Sequence, residues 1–265
     1  MLLAIDIGNT NLRLGPVRDG SLVATRRAAT PGAATPDEVE ILLGELLRLD
    51  GLRLDDVDAL ALASTVPAAT AAIEAVAARR AIAAVVASAV TVPIPIRVER
   101  PGDVGPDRLV NAYAAAHLHG TPAVVVDCGT ATTLDAVDHA GAFVGGAIAP
   151  GLVVGLEALG TRTARLPLVE PHLPDGPIGT DTFAAIRAGT VLGHRVMIEG
   201  LVVRMRRQLA AGAELAPHDV RVVLTGGLAT LPWARTIEGV DAIDLELTLR
   251  GLVLVHRAAT GIAEA

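Results

Sequence analysis

The chain has 265 residues, and 51% of them are hydrophobic, which is enough for one large or two medium-sized cores. Its formal net charge of -7, with scattered arginines, excludes a general electrostatic attraction to nucleic acid or anionic membranes. The 22 basic residues are all arginine, which excludes a Walker A loop and a pyridoxal phosphate Schiff base, because both require a lysine.

In chain order, the first part of the sequence alternates strands and helices. The apolar run 2–7 leads into the Gly-Asn-Thr turn 8–10, and Leu12 and Leu14 follow it, which predicts a strand, a tight turn and a second strand. The next predicted elements are a helix over 37–49, a strand over 60–64 and an Ala-rich helix over 68–80. This alternation predicts a sheet with helices packed on it.

A second opening of the same kind begins at residue 123. The apolar run 123–126 leads into Asp-Cys-Gly-Thr over 127–130, which repeats the Asp-x-Gly and small polar residue of segment 6–9 at the end of a strand. The recurrence predicts two similar halves, 1–112 and 113–265, with their boundary near the helix that starts around Asp107. The later predicted elements are helices over 182–193 and 197–211, a strand over 220–224 and a Thr-Gly-Gly turn over 225–227.

The chain lacks the sequence features of a secreted or membrane-spanning protein. Its first apolar run has no basic region before it and meets Asp6, which a signal peptide would not tolerate. The apolar stretch 81–96 contains two prolines and two hydroxyl residues, so it falls short of a membrane span. The single cysteine, Cys128, cannot form an internal disulfide. We therefore expect a cytoplasmic protein with no membrane or nucleic acid partner.

The two Asp-x-Gly turns have the chemistry of a phosphate site. Glycine lets the backbone approach a ligand, turn N–H groups point at phosphate oxygens, and a carboxylate holds a cation that offsets the phosphate charge. The alternative is that Asp6 and Asp127 each cap an ordinary β-turn. The Gly-Gly turn at 226–227 could approach an adenosine or ribose, or could simply join a strand to a helix.

A third acidic motif, Gly-Pro-Asp-Arg over 105–108, runs into a predicted helix. Asp107 could accept a proton from a substrate hydroxyl while Arg108 fixes a substrate anion, or the two could form a helix cap with a salt bridge. Two glycine-rich loops are predicted over 145–151 and 179–182. In the second loop, Thr182 could donate its hydroxyl to a substrate or cap the helix that follows.

Five motifs in this order resemble the type III pantothenate kinases, a family of the actin-like ATPase superfamily. They cover segments 6–11, 105–108, 127–133, 145–151 and 179–182, and the likeness continues through 224–227 to the closing segment 247–252. The chain departs from the family pattern at Pro106, where many members carry a small residue, and at Cys128, where an apolar residue is usual.

The resemblance implies an α/β fold of two ribonuclease-H-like halves, each a mixed sheet with flanking helices, that bind ATP between them. It also implies Asp107 as the general base, with Gly105, Asp107, Arg108 and Thr182 as pantothenate ligands, Thr182 in some members acting across a homodimer interface. The ATP and Mg²⁺ ligands that it implies are Asp6, Gly8, Asn9, Thr10, Gly129, Thr130 and Thr132. Asp127 would hold a monovalent cation, K⁺ or NH₄⁺.

The expected activity is ATP-dependent phosphorylation of pantothenate to 4'-phosphopantothenate, the first step of coenzyme A biosynthesis. Two alternatives stay open from the sequence: another small-molecule kinase of the same superfamily, acting on a sugar or acetate, and a non-catalytic regulator that keeps the fold. The expected mechanism requires the carboxylates of Asp6, Asp107 and Asp127 to meet at one crevice, because phosphoryl transfer depends mostly on alignment and charge neutralisation.

Overall fold

The computed structural model describes residues 1–33 and 35–261, which form two compact units. The first unit consists of Met1–Ala114 together with the C-terminal segment from Glu246, and the second is Ala115–Leu245. The chain therefore enters the second unit two residues beyond the predicted boundary at 112. The C-terminal helix, which the sequence places in the second half, packs on strands of the first unit instead.

The described residues form eleven strands and seven α-helices. The strands are β1 (Leu2–Ile7), β2 (Asn11–Arg18), β3 (Ser21–Leu22), β4 (Arg26–Ala29), β5 (Ala59–Ser64), β6 (Ala83–Val86), β7 (Ala123–Cys128), β8 (Ala131–Val137), β9 (Phe143–Pro150), β10 (Arg221–Thr225) and β11 (Ala242–Ile243). The α-helices are α1 (Pro36–Arg48), α2 (Pro67–Arg79), α3 (Pro106–Leu118), α4 (Leu152–Arg162), α5 (Thr182–Arg187), α6 (Gly193–Ala211) and α7 (Leu247–Thr260). No helix in the described part of the chain is both long enough and apolar enough to cross a bilayer.

Both units contain a mixed sheet of the same design. In the first unit the strand order is β3-β2-β1-β5-β6, with β4 also paired to β2; in the second it is β11-β10-β7-β8-β9. Each sheet is built around a central strand, β1 or β7, that pairs antiparallel with the next strand of its hairpin and parallel with a later strand. The prediction of two similar mixed-sheet halves is therefore confirmed.

Local sequence signals explain how the first helix begins and which face it buries. Thr35 caps α1: its hydroxyl accepts from the Glu38 N–H at 3.3 Å, and the Glu38 carboxylate accepts from the Thr35 N–H at 2.8 Å. This reciprocal pair is a capping box, and Pro36 fits the first helical position, where its missing N–H costs nothing. Buried residues at helical spacing, including Val39 and Leu43, then pack into the core of the first unit.

The predicted loop over 145–151 is wrong, because residues 143–150 form strand β9. Its pairing with β8 extends from Val137 opposite Phe143 to Ala131 opposite Pro150. The register shifts between Ala136 and Val137, near Gly145, whose φ is +111°. A glycine with positive φ beside a register shift is typical of a β-bulge. The glycines in this segment therefore bend an edge strand and do not break it.

The two helices predicted over 182–193 and 197–211 form one continuous helical segment. A π-helical turn, Ala188–Leu192, joins α5 to α6. A π turn contains one more residue than an α turn, and Ile186 and Val191, five residues apart, are both buried. Ile198 and Val202 continue the buried face of the helix after the π turn. Without the extra residue, their side chains would be rotated by about 100° away from the core.

Candidate active site

The first Asp-x-Gly turn joins β1 to β2 in the first unit. Asp6 lies at the second-last position of β1, and Asn9 and Thr10 are exposed at the tip of the turn. The Gly8 N–H donates to the Asn11 carbonyl at 3.0 Å, which closes the turn. Thr30, which follows β4, holds the turn from behind: its hydroxyl donates to the Gly8 carbonyl at 2.6 Å. The turn is therefore fixed on both sides while its tip stays accessible.

The second Asp-x-Gly turn joins β7 to β8 in the second unit and is closed in the same way. The Gly129 N–H donates to the Ala131 carbonyl at 3.0 Å, and the Gly151 N–H donates to the Thr130 carbonyl at 3.0 Å. A Cβ added to Gly151 would lie 2.3 Å from that carbonyl oxygen, so only glycine allows the end of β9 to approach the turn. Asp127 is partly exposed and Thr130 is exposed.

The Gly-Gly turn after β10 packs directly on the second Asp-x-Gly turn. Gly226 has φ +94° and ψ 164°, a conformation that is essentially restricted to glycine. A Cβ there would lie 2.4 Å from Asp127 Oδ1 and 2.6 Å from the Cys128 backbone nitrogen. Parallel pairing places Thr225 opposite Asp127, which brings the two turns to the same end of the sheet. The Thr-Gly-Gly signal, weak in the sequence, therefore marks part of the candidate site.

Thr132 does not lie where the sequence resemblance implies. Its side chain is fully buried, and its hydroxyl lies 3.0 Å from Nε2 of His194, on α6. Side chains alternate between faces along β8, so Thr132 shares the helix-covered face with the buried Leu134. The prediction that the Thr132 side chain contacts phosphates is corrected: the residue supports the turn from behind.

Asp107 lies in the first turn of α3, one residue after Pro106 at the helix start. Its carboxylate folds back over Gly105, where an added Cβ would lie 2.5 Å from Asp107 Oδ1. Desolvation raises the pKa of Asp107, and backbone N–H groups of Arg108 and of Asp107 itself partly oppose that rise. A carboxyl group with a raised pKa that keeps partial solvent access is suited to accept a proton at neutral pH.

Thr182 is free of the capping role that the sequence left open. Asp181 caps α5 instead, because its Oδ1 accepts from the Ala184 N–H at 2.8 Å. Thr182 is exposed and lines a largely apolar pocket of about 530 Å³ within the second unit. The pocket is lined by Leu159, Leu166, Thr182, Ala185, Ile186, Gly189 and Thr190. The Thr182 hydroxyl is therefore available to a ligand.

The carboxylates fit cations that are shared with a ligand. No group of three or more His, Cys, Asp or Glu side chains in the described ranges could hold a metal ion by itself. Mg²⁺ commonly takes one or two carboxylates and completes its shell with substrate phosphates and water, which suits a single Asp at each turn. Beside Asp127, the buried Thr225 hydroxyl has no hydrogen-bond partner within the described residues, which leaves one oxygen donor for a cation or water.

The structure therefore groups the predicted residues by unit. The first unit holds Asp6, Gly8, Asn9 and Thr10 in one turn, and Gly105, Asp107 and Arg108 at the start of α3. The second unit holds Asp127, Gly129 and Thr130 in one turn, with Thr182 at the start of α5. Two supporting residues, Thr30 and His194, were not found from the sequence, and neither had a sequence signal. The Gly-Gly turn was named there as a possible approach to an adenosine or ribose, and Gly226 proves also to support the second Asp-x-Gly turn.

Two solved structures resemble the fold at low sequence identity. A protein from Campylobacter jejuni, provisionally assigned as a Baf family transcriptional activator, matches with a TM-score of 0.64 at 16% identity, covering 98% of this chain and 100% of that one. A Listeria monocytogenes protein, provisionally assigned as an N-acetylmannosamine kinase, matches with a TM-score of 0.52 at 15% identity, covering 98% and 99%. At this level of identity the likeness shows a shared fold, here one of mixed sheets with flanking helices.

Sequence comparison identifies the family. The family model for type III pantothenate kinase matches residues 2–204. The type III pantothenate kinase of Thermomicrobium roseum is 41% identical over 254 residues, which are 95% of each chain. That of Thermobifida fusca is 41% identical over 263 residues, covering 98% of this chain and 100% of its own. With two phosphate-type turns, an Asp of raised pKa at a helix start and this similarity over nearly its whole length, the chain belongs to the type III pantothenate kinase family.

Proposed function

We propose that this chain transfers the γ-phosphoryl group of ATP to the primary hydroxyl of pantothenate and releases 4'-phosphopantothenate and ADP. The observation that carries the proposal is the pair of braced Asp-x-Gly turns, one in each unit, in a chain of this family. Phosphoryl transfer proceeds through a loose transition state, so the protein mainly aligns the reactants and balances charge. Rigid turns with accessible tips meet that requirement.

The two turns bind the phosphates of ATP in this proposal. Gly8, Asn9 and Thr10 in the first unit, and Gly129 and Thr130 in the second, present backbone N–H groups, an amide and hydroxyls to phosphate oxygens. Because all 22 basic residues are arginine, no lysine takes part. The bracing hydrogen bonds behind each turn reduce the entropy that nucleotide binding would otherwise cost.

Asp107 acts as the general base. Its carboxylate accepts the proton of the pantothenate hydroxyl as the oxygen attacks the γ-phosphorus, and the bond between that phosphorus and the ADP oxygen breaks. The raised pKa of Asp107 makes the carboxylate a stronger base than an exposed aspartate. Burial of the carboxylate is the physical cause of this tuning.

The pantothenate ligands are Gly105, Asp107, Arg108 and Thr182. Pantothenate carries a carboxylate, and the Arg108 guanidinium, one residue from the base, offers charge-assisted hydrogen bonds to such a group. Thr182 contributes its exposed hydroxyl from the mouth of the apolar pocket beside α5. Gly105 lies under the Asp107 carboxylate, and any side chain there would displace it.

Asp6 and Asp127 hold cations in the proposal. Asp6 takes part in binding Mg²⁺ with the phosphates, and Asp127, with the neighbouring Thr225 hydroxyl, contributes oxygen ligands to a monovalent cation, K⁺ or NH₄⁺. When bound, these ions neutralise charge that develops on the transferred phosphoryl group. The conformation of each turn sets the positions of the oxygens that Asp6, Asp127 and Thr225 offer to these ions.

The chain acts as a homodimer in the proposal, through the second unit. Several large apolar side chains on or near β9, α4 and α5 are exposed, among them Ile148 at 65%, Ile178 at 87% and Phe183 at 50%. Exposed apolar surface of this extent is common at subunit interfaces. Light scattering after gel filtration measures the mass directly, and a monomer at micromolar concentration would contradict this part of the proposal.

A coupled ADP-release assay tests the activity. Purified protein is expected to release ADP only when pantothenate, Mg²⁺ and K⁺ are all present, and Asp107→Asn is expected to lower turnover by roughly a hundredfold or more. The exposed Asp19→Asn, between β2 and β3 in the same unit as Asp107, serves as the matched control. Near-normal turnover in Asp107→Asn would remove Asp107 from the role of base.

Two controls separate the proposal from other activities of the superfamily. A panel of sugars and acetate in place of pantothenate detects a different small-molecule kinase. Protein that binds ATP and releases no ADP under the full conditions would indicate a non-catalytic regulator. The family membership and the retained Asp6, Asp107 and Asp127 favour the pantothenate kinase.

A further inference from the structure

A buried cluster of three side chains lies behind the second Asp-x-Gly turn, within the second unit. Thr132, the second residue of β8, contacts Nε2 of His194 on α6 at 3.0 Å. The His194 ring stacks edge-to-face on Trp233, with ring centroids 5.8 Å apart and an interplanar angle of 81°. Thr132 and Trp233 are essentially inaccessible to solvent. No residue of this cluster takes a direct part in the proposed chemistry.

The cluster connects the two chain segments that follow the Asp127 turn and the Gly226 turn. Thr132 pairs with Cys128 across the β7–β8 hairpin, so it is the first paired residue after the Asp127 turn. Trp233 lies in a short 3₁₀ helix, Pro232–Thr236, that follows the Gly226 turn closely along the chain. His194 therefore connects the strand that leaves one turn with the segment that leaves the other.

The histidine is held in its neutral form. Desolvation lowers the pKa of His194, so at neutral pH its ring carries one N–H donor and one acceptor nitrogen. Either ring tautomer can form a hydrogen bond with a threonine hydroxyl, which both donates and accepts. The edge-to-face contact with Trp233 orients the ring for this bond.

The π turn determines that His194 faces the sheet. Ala188–Leu192 lies immediately before α6, and the added residue rotates everything after it by about 100° relative to an uninterrupted α-helix. The helix departs from ideal geometry immediately before His194, and this departure brings the His194 ring to Thr132. The same helical segment begins at Thr182, a proposed pantothenate ligand.

We propose that His194 is a positioning residue for ATP: through its hydrogen bond to Thr132 it fixes the backbone of the turn that holds Asp127, Gly129 and Thr130. This inference rests on the proposed function, because it assumes that this turn binds the phosphates. Loss of the bond loosens the turn without removing any phosphate ligand. The Michaelis constant for ATP then rises, while that for pantothenate stays unchanged.

Four single variants separate the hydrogen bond from the packing. His194→Phe keeps an aromatic ring against Trp233 and removes the bond, whereas His194→Gln loses the ring and keeps a polar group near the Nε2 position. Thr132→Val removes the hydroxyl at constant shape, and Thr132→Ser keeps it. The exposed His218→Gln, in the same unit, is the matched control.

We expect His194→Phe and Thr132→Val each to raise the KM for ATP about fivefold to tenfold, the usual value of one buried hydrogen bond. The pantothenate KM is expected to stay within about twofold. His194→Gln and Thr132→Ser are expected to recover most of the loss. The double variant His194→Phe/Thr132→Val should lose no more than either single variant, because the two residues make one bond.

Kinetics of this form distinguish positioning from a purely structural role. Partial unfolding reduces the amount of active enzyme, which lowers apparent kcat and leaves both KM values unchanged. An unchanged KM for ATP in His194→Phe and Thr132→Val would overturn the proposal. If His194→Phe does not fold, the comparison of Thr132→Val with Thr132→Ser decides the same question.

The single tryptophan of the chain provides an assay that does not depend on turnover. Trp233 touches His194, so ordering of the turn by ATP and Mg²⁺ is expected to change the tryptophan emission in the unmodified protein, and Thr132→Val is expected to abolish most of that change. If the protein phosphorylates nothing but shows this titration, the proposed function fails and the positioning role stands. Active enzyme whose emission and KM are insensitive to Thr132→Val would refute the positioning role alone.

Discussion

Gly226→Ala is the perturbation whose cost follows most directly from the structure. The alanine Cβ would lie 2.4 Å from Asp127 Oδ1 and 2.6 Å from both the nitrogen and the oxygen of Cys128, and two of these three atoms belong to the backbone. The neighbouring turn would have to move. Overpacking of this kind costs about 1–3 kcal/mol, and the backbone conformation of Gly226, restricted to glycine, adds about 1–3 kcal/mol.

The expected loss of unfolding free energy is therefore about 2–6 kcal/mol, a large fraction of the stability of an ordinary domain. Urea denaturation followed by Trp233 fluorescence measures it. Relief of the clash displaces Asp127, so the turnover of the folded variant is expected to fall by about tenfold or more. In other enzymes, a displacement of about 1 Å in the active site lowers the rate by up to about a hundredfold.

Gly120→Ala is a matched control in the same unit. Gly120 has φ +93°, close to the φ of Gly226, and an added Cβ would meet no atom within 4 Å. It therefore reports the backbone strain without the clash, about 1–2 kcal/mol, and should leave turnover unchanged. Equal destabilisation of Gly226→Ala and Gly120→Ala, with normal turnover in both, would refute the inference that the Gly226 turn supports the Asp127 turn by close contact.

Three further predictions concern single groups. Burial raises the pKa of Asp107 in the folded state, so ionisation of this carboxyl lowers the stability of the protein as pH rises through the folded pKa. Asp107→Asn is therefore expected to stabilise the protein against urea at pH 8 and to change its stability less at pH 4. Desolvation and the nearby Asp127 raise the pKa of Cys128 to about 12, so the folded protein is expected to resist thiol reagents at pH 8 and to react once unfolded; rapid reaction of the native protein would contradict this burial. Asp181→Ala removes the cap of α5 and is expected to cost about 1 kcal/mol in urea denaturation, whereas Asp181→Asn should cost much less.

The repeated architecture was predictable because its signals are local. A strand that ends in Asp-x-Gly and a small polar residue specifies a tight turn, and it occurs at residue 6 and again at residue 127. The four elements of the first unit predicted with bounds, over 2–7, 37–49, 60–64 and 68–80, lie within one residue of the observed ones, whereas β3, β4 and β6 were not predicted. The glycines of β9 misled the prediction. Antiparallel pairing with β8 keeps this segment in the sheet, and the composition of β9 does not reveal that pairing.

The supporting residues of the candidate site were harder to predict, for different reasons. Thr132 did carry a signal: it alternates in phase with the buried Leu134, and strand periodicity alone would have turned its side chain away from the tip of the turn. His194 carried none. Its contact with Thr132 depends on a π turn and on helix packing across 62 residues of chain, and no spacing rule for α-helices anticipates either.

The sequence by itself determined the two Asp-x-Gly turns, the main strands and helices of the first unit, the absence of lysine from the chemistry and the family, since each depends on residue identities over short stretches. Only the tertiary structure decided that Gly226 touches Asp127, that the C-terminal helix packs on the first unit, and that Thr132 faces His194. The physical reason is that turn conformation is a property of neighbours in the chain. Strand pairing and helix packing bring together residues whose separation in sequence carries no record of their contact.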